Sequence, residues 1–223
     1  FGTSIGYYYS KAPFIFVSHN DMIALEKNFL SFIKGKLNDE IRIAAFTQSH
    51  IIPSVGCTVF NREVLDNPDL GWDMEENSNP YLEKSEYLKK MEKISKEKGM
   101  TLLNQRIHWM DGGEHYVYNE IINGYKIYLC AAMGGNADYW KSPFEYFELP
   151  LEEAKEIITS HNCPFIYAPL NTDKTTFEQK YDYVLKASES WFSEGERHKR
   201  KYWRYCFDDD GNLMFIHHGR GAT

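Results

Sequence analysis

The chain has 223 residues, of which 43% are hydrophobic and 26% charged, and its formal net charge at pH 7 is −7. This composition is that of a globular protein, and the negative charge argues against non-specific binding of nucleic acid over the whole surface. No apolar run reaches the roughly 18–20 residues that cross a membrane. We therefore expect a soluble protein with no membrane-spanning segment and no membrane partner.

The cysteines bear on metal binding and on compartment. There is no CxxC pair, so the cysteine spacing does not predict a zinc ribbon, and we assign no metal ligands among the cysteines. Each cysteine lies in or beside an apolar run, which predicts buried free thiols and a cytoplasmic location. The first residue is not methionine, so export after removal of a leader, with two disulfides, stays open as an alternative. The four cysteines are Cys57, Cys130, Cys163 and Cys206.

The first half of the chain alternates between strand and helix signals. The apolar run Phe14–Val17 predicts a buried strand. A wide apolar stripe at helical spacing predicts a helix over 21–36, and the apolar run 41–47 predicts the next strand. Further on, an amphipathic pattern bounded by Pro80 and Gly99 predicts a helix over 80–98.

The second half is rich in hairpin signals. Three consecutive strands are predicted over 101–133, joined at Asp111-Gly112 and Asn123-Gly124, which are dipeptides typical of two-residue turns. Helices are predicted over 151–160 and 174–194. Strands and helices are mixed along the chain without a repeat or a linker. We therefore predict a single α+β domain over 1–223, with a mixed, mainly antiparallel sheet and about four helices.

A second hairpin is predicted over 202–218. If Asp210-Gly211 is its turn, the register sets Arg204 opposite His217 and Trp203 opposite His218.

The first candidate site lies at the turn of the predicted three-stranded meander. If Asp111-Gly112 is that turn, His108 stands directly opposite His115, with Cβ atoms roughly 5 Å apart. Two imidazoles at this distance, with Asp111 and Glu114 beside them, could bind a metal or act as general acid and base. If instead Gly112-Gly113 is the turn, His108 stands opposite Val117 and the histidine pair is lost. Two separate histidines on a half-exposed hairpin are the simpler interpretation.

The second candidate site is a basic and aromatic patch at the C-terminal hairpin. Such a patch suits phosphate groups, stacked bases or an acidic protein partner. The competing interpretation is a solvated edge strand, where lysine and arginine deter sheet-to-sheet aggregation. The residues of the patch are Arg197, Lys199, Arg200, Lys201, Trp203, Arg204, His217 and His218.

A third candidate follows the first predicted strand, where Ser18, His19 and Asp21 precede a predicted helix. Ligands of α/β folds bind at such strand ends. A Ser/His/Asp nucleophile system would require the three side chains to converge in space, whereas a helix N-cap would not. We therefore interpret these residues as a helix cap.

Two functions from different classes fit these patterns. The first is a binding protein, of inhibitor, immunity or accessory type, that recognises a protein partner or a phosphate-containing small molecule through its charged and tyrosine-rich surface. The alternative is a phosphodiester- or nucleotide-directed hydrolase, in which His108 and His115 act while the basic hairpin holds phosphate. We favour the binding protein, because the hydrolase requires several side chains to converge. Neither pattern identifies a cofactor.

Overall fold

Ten strands and five helices have bounds within the described part of the chain, in agreement with the predicted α+β class. The computed structural model describes residues 2–18, 22–46, 57–68, 70, 72, 75–76, 89, 93, 97, 109–110, 113–134, 165–190 and 203–218. The strands are β1 (Phe14–Ser18), β2 (Met22–Ala24), β3 (Ile41–Phe46), β4 (Cys57–Asn61), β5 (Glu75–Glu76), β6 (Trp109–Met110), β7 (Lys126–Gly134), β8 (Phe165–Tyr167), β9 (Trp203–Phe207) and β10 (Leu213–His218). The helices are α1 (Gly2–Tyr9), α2 (Phe29–Lys34), α3 (Arg62–Leu65), α4 (Glu114–Ile122) and α5 (Lys174–Ser190).

One large sheet organises these elements. Its strands follow the order β1-β4-β3-β7-β9-β10-β2, and β8 pairs with β7 beside that path. Strand β7 runs parallel to β3 and β8, whereas the other neighbouring pairs in this sheet are antiparallel. The prediction of a mixed, mainly antiparallel sheet is therefore confirmed. A separate two-stranded sheet joins β5 and β6.

The large sheet is strongly curled. In a flat sheet, the six steps between β1 and β2 would separate these strands by about 29 Å. The chain passes from Ser18 to Met22 in four residue steps, which span at most about 14 Å when fully extended. The two ends of the sheet must therefore approach each other. Across this junction the Ser18 hydroxyl lies 3.5 Å from the Met22 sulfur.

Aromatic rings fill the concave side of the curled sheet. Phe46 of β3 stacks on Phe215 of β10 with ring centroids 5.0 Å apart. Because β3 and β10 are three positions apart in the strand order, their rings meet across the concave side. Phe29 of α2 packs against Phe215 and against Phe16 of β1. The aromatic cluster thus holds both ends of the sheet together.

Helices and a loop residue cover other parts of the sheet. The ring of Phe177 in α5 lies 5.6 Å from that of Phe207 in β9. Trp72 packs between Phe60 of β4 and Tyr116 of α4, with ring centroids 5.9 and 5.2 Å away. These contacts bury the apolar sides of α4 and α5 against the strands.

The prediction of a middle strand in the meander over 101–133 is wrong, because residues 114–122 form the helix α4. Asn123-Gly124 follows this helix directly, whereas Asp111-Gly112 lies outside the described residues. Val117 and Ile121 are both fully buried, and their spacing of four places them on one helical face. β7 pairs with β3 and β8 over 127–129 and with β9 over 131–134, so these strands and not a hairpin partner from 113–122 supply its neighbours.

The predicted helix over 21–36 is shorter than expected. Met22–Ala24 form β2, which pairs with β10, and α2 begins at Phe29. β2 lacks the alternating pattern of burial that is typical of a strand. Its pairing with β10 places it in the sheet by supplying its backbone hydrogen bonds. The apolar residues of this segment therefore serve a strand and a short helix in succession.

The other predicted elements have varied outcomes. The C-terminal hairpin over 202–218 is confirmed by β9 and β10. The helix over 174–194 is confirmed over 174–190 by α5, which is kinked at Tyr181, while 191–194 lie outside the described residues. Lys89, Lys93 and Glu97 are helical, as predicted, while the rest of 80–98 and all of 151–160 lie outside the described residues. The single domain over 1–223 stays a prediction.

The expected buried thiols are present at three positions. Cys57, Cys130 and Cys206 are buried thiols that form no disulfide within the described residues, and Cys163 lies outside those residues. Burial raises the pKa of the Cys130 thiol well above its ordinary value. Within the described residues, none of the helices combines the length and apolar character that crossing a bilayer requires.

Candidate functional site

Several strand ends meet at one edge of the large sheet, which we call the carboxyl edge because the parallel strands β3 and β7 both end there. Strand pairing defines it: Ser18 pairs with Cys57, Gly134 with Arg204, and His217 with Met22. Ligands of open α/β sheets bind beyond the carboxyl ends of parallel strands. This sheet is mainly antiparallel, but the parallel pair β3 and β7 ends at this edge, which is therefore a candidate site by analogy.

Part of the predicted basic and aromatic patch lies at this edge. Arg204 of β9 pairs with Gly134 on one side and with His217 on the other, and Trp203 pairs with His218. The register predicted from the Asp210-Gly211 turn is therefore confirmed at these positions. The remaining members of the patch, Arg197, Lys199, Arg200 and Lys201, lie outside the described residues.

Local hydrogen bonds hold the turn that sets this register. The Asp208 carboxylate accepts hydrogen bonds from the backbone N–H groups of Asp210, at 3.0 Å, and Asn212, at 2.7 Å. Gly211 adopts a φ of 78°, which favours glycine. A bulge between Leu213 and Phe215 then shifts the pairing by one residue. Turn and bulge together bring His217 opposite Arg204.

The proposed histidine pair of the meander lacks its hairpin. His115 lies in α4 with 6% of its surface exposed, and Glu114 begins the same helix. His108 and Asp111 lie outside the described residues. Because 114–122 is helical, the cross-strand register that would place His108 opposite His115 does not exist. Within the described part of the chain, no group of three His, Cys, Asp or Glu side chains could hold a metal ion.

The helix cap predicted at Ser18 is also wrong. Ser18 ends β1, and the strand β2 begins at Met22 where a helix was predicted. His19 and Asp21 lie outside the described residues. Ser18 is nevertheless one of the strand ends at the carboxyl edge, through its pairing with Cys57.

A second candidate site, which sequence reasoning missed, lies at the opposite end of β3 and β7. It is a cavity of about 420 Å³ between β3, α3 and α4, which we call the amino-end cavity. Its signal in the sequence is an isolated charge within an apolar run, at Arg42 in one run and at Glu120 in the other. Its charged and amide-bearing lining residues are Arg42, Glu63, Asn67, Asn119, Glu120 and Asn123.

Arg42 is the centre of this cavity. The register of β3 against β7 shifts between Ile41 and Ile43, so Arg42 is the extra residue of a bulge. Its Nε lies 3.3 Å from Oε2 of Glu120, and its Nη2 lies 3.8 Å from Oε2 of Glu63. Bulges redirect side chains and are frequent next to functional sites. The bulge thus presents a guanidinium group to two carboxylates.

Glu120 is the most buried charged residue of the cavity, with 3% of its surface exposed. Burial raises the pKa of Glu120 above its ordinary value of 4.5, and the nearby Glu63 raises it further. Arg42 and Asn119 act in the opposite direction. Desolvation disfavours the charged form of a carboxylate, and a neighbouring guanidinium favours that form.

The two candidate sites are well separated. They lie at opposite ends of β7, whose nine residues span about 26 Å.

Comparison of the chain with protein-family models, with curated proteins and with solved structures finds no match.

Proposed function

We propose that the protein is a binding protein and that the carboxyl edge recognises a phosphate-bearing ligand. The observation that carries this proposal is the pairing of Arg204 with both Gly134 and His217, at the end of the parallel strand β7. Directly paired residues have Cα atoms about 5 Å apart. Arginine and histidine positions are therefore adjacent where topology favours a ligand.

The residue types support an anionic ligand. Arginine binds phosphate through a planar fork of N–H donors, and histidine gains a positive charge below its ordinary pKa of about 6.5. Trp203 and His218 pair next to Arg204 and His217, and aromatic rings at such sites can stack on bases. In a chain of net charge −7, this concentration of basic residue types is local.

The basic run that precedes β9 adds to this support. Lys201 stands two positions before Trp203, and Arg200 four positions before Arg204. Four residue steps span at most about 14 Å, so chain connectivity alone keeps these charges near the carboxyl edge. Charges within about a Debye length of the ligand strengthen its binding at low salt.

Isothermal titration calorimetry of the full chain tests the proposal, with inorganic phosphate, pyrophosphate and a nucleoside monophosphate as probes. We expect one of these probes to bind the unmodified chain and to bind Arg204→Gln about tenfold more weakly, because a charge-assisted hydrogen bond is lost. Raising the ionic strength should weaken binding.

Lys126→Gln is the matched control. Lys126 is an exposed basic residue at the other end of β7, so its loss changes the net charge equally without touching the carboxyl edge. Absence of binding by every probe, or an equal loss in Lys126→Gln, would contradict the proposed site.

A further inference from the structure

We propose that the amino-end cavity is a second binding site, for a small zwitterion of the free α-amino-acid class. The ligand's carboxylate would meet Arg42, and its ammonium group would meet Glu63 and Glu120. This site lies about 26 Å from the carboxyl edge along β7 and is independent of the phosphate-binding proposal.

The cavity has a suitable size and lining. Its volume of about 420 Å³ falls within the range of roughly 300–1,000 Å³ that is usual for small-molecule sites. Apart from Val64, every lining residue carries a polar side chain. Such a lining matches a ligand with several hydrogen-bonding groups and does not match an apolar one.

The ion pair inside the cavity is incomplete. Arg42 Nε and Glu120 Oε2 lie 3.3 Å apart, yet both atoms are buried and neither has a hydrogen-bond partner of acceptable geometry within the described part of the chain. Buried polar atoms are normally hydrogen-bonded, and unsatisfied ones require a physical explanation. The two groups therefore do not satisfy each other fully, and their remaining N–H donors and carboxylate oxygen are the atoms that a ligand can contact.

The balance of charge selects among ligand classes. Two carboxylates face one guanidinium group, so the charged lining carries a net charge of −1 when all three groups are ionised. This excess disfavours a simple anion, while Arg42, in contact distance of both carboxylates, repels a metal ion. A zwitterion places opposite charges against opposite partners, and therefore fits Arg42, Glu63 and Glu120 together.

Neighbouring side chains define how the ligand would approach. The ring of Tyr125 lies 4.6 Å from Cζ of Arg42 and covers one face of the guanidinium group. The ligand carboxylate must therefore approach the edge of that group, where its N–H donors point. Tyr125 is a positioning residue in this arrangement. Asn123 donates to the backbone oxygen of Asn119 at 2.8 Å, which fixes an amide at the rim.

The burial of Glu120 makes a contact between its carboxylate and an ammonium group favourable. Glu120 is almost fully buried, and a buried carboxylate without complete hydrogen bonding is unfavourable. Glu63 is 76% exposed at its side chain and stands at the open side of the cavity. An ammonium group between them would complete the hydrogen bonding of Glu120 and would be held from the outside by Glu63.

Titration calorimetry of the full chain with glycine, L-alanine, L-leucine and L-glutamate tests the proposal. Acetate and methylammonium serve as the two halves of the ligand, and glycine betaine serves as a zwitterion without N–H donors. We expect at least one amino acid to bind about tenfold or more tightly than either half, because both charged contacts are then made by one molecule. Betaine should bind at least about tenfold more weakly than that amino acid.

Glu63→Gln is the informative variant, because the Glu63 side chain is exposed and its substitution should leave folding intact. Arg42→Gln is less suitable, because it would leave the buried Glu120 carboxylate without its cation and would destabilise the fold. We expect Glu63→Gln to weaken amino-acid binding about fivefold to tenfold. Glu26→Gln, the same substitution at an exposed glutamate outside the cavity, should have no effect.

Three results would overturn the proposal: no amino acid binds, the half-ligands bind as tightly, or Glu63→Gln binds like the unmodified chain. Retention of phosphate binding by Glu63→Gln would show that the carboxyl edge is unaffected by the substitution.

Discussion

The hydroxyl oxygen of Tyr181 accepts a hydrogen bond from the backbone N–H of Leu213, with an oxygen–nitrogen distance of 2.8 Å. Tyr181 is buried in α5, and Leu213 is the first residue of β10, directly before the bulge. A side chain of the helix thus satisfies a buried donor of the sheet. This contact couples the docking of α5 to the hairpin that sets the register at the carboxyl edge.

Tyr181→Phe should reduce the free energy of unfolding by about 1–2 kcal/mol, because the ring remains while the buried N–H of Leu213 loses its acceptor. Urea denaturation followed by circular dichroism measures the change. Tyr183→Phe is the control, since Tyr183 is 67% exposed and should change stability by less than about 0.5 kcal/mol. Equal effects in the two variants would contradict the role of this hydrogen bond.

Gly211→Ala should be strongly destabilising. A Cβ atom at Gly211 would lie 2.4 Å from the backbone oxygen of Asn171, and its φ of 78° is unfavourable for alanine. We expect a loss above about 2 kcal/mol, as strain and steric conflict add. Gly124→Ala separates the two causes, because Gly124 has a φ of 91° with no atom within 4 Å of the added Cβ. It should cost about 1–2 kcal/mol, measured by the same denaturation.

Asp209 should contribute stability that depends on pH. Its carboxylate accepts hydrogen bonds from the ammonium group of Lys36 and, at 2.9 Å, from the hydroxyl of Tyr128. The hydrogen bond from Lys36 lowers the pKa of Asp209 below its ordinary value of 3.8, and the bond from Tyr128 lowers it further, while burial acts in the opposite direction. A lowered pKa in the folded state stabilises the fold above the unfolded-state pKa.

The stabilising contribution of Asp209 is therefore complete at neutral pH and is lost as pH falls below 3.8 through the lower folded-state pKa. Asp209→Asn should be less stable than the unmodified chain at neutral pH, and the difference should shrink in acid. Urea midpoints measured over this pH range test the prediction. Asp210→Asn, at the exposed neighbouring residue, is the control, and a difference that grows in acid would contradict the assigned sign.

The C-terminal hairpin shows what local sequence can determine. Gly211 has the positive φ that the turn requires. The Asp208 carboxylate accepts a hydrogen bond from the backbone N–H of Asn212, four residues further on. The register therefore follows from residues that are close in sequence. The predicted pairs Arg204–His217 and Trp203–His218 are observed because the unpredicted bulge shifts the pairing back by one residue after the turn that joins Asp208 and Asn212.

Helix α4 shows what local sequence leaves open. The run 114–122 is apolar at positions that suit both a strand and a helix, and flanking glycines suit a turn as well as a helix end. The choice depends on the partners of β7, because pairing with β3 and β9 replaces the hairpin pairing that a middle strand would have made. That pairing involves residues some 80 positions away, which a local pattern does not contain.

The amino-end cavity depends on the same long-range information. Arg42 and Glu120 are 78 positions apart (120 minus 42), and neither belongs to a spaced motif. Only the bulge in β3 and the formation of α4 bring their side chains together. An isolated charge inside an apolar run indicates that the charged residue is buried with a partner. It does not indicate which residue that partner is.

The pairing of β2 with β10 has a consequence for biosynthesis. Met22 and His217 are 195 positions apart (217 minus 22), so closing this contact carries a large entropic cost before it contributes any stability. On the ribosome, β2 emerges long before β10 has been made. The curled sheet therefore closes only after translation has passed β10, and its closure is among the slower steps expected for a topology rich in such distant contacts.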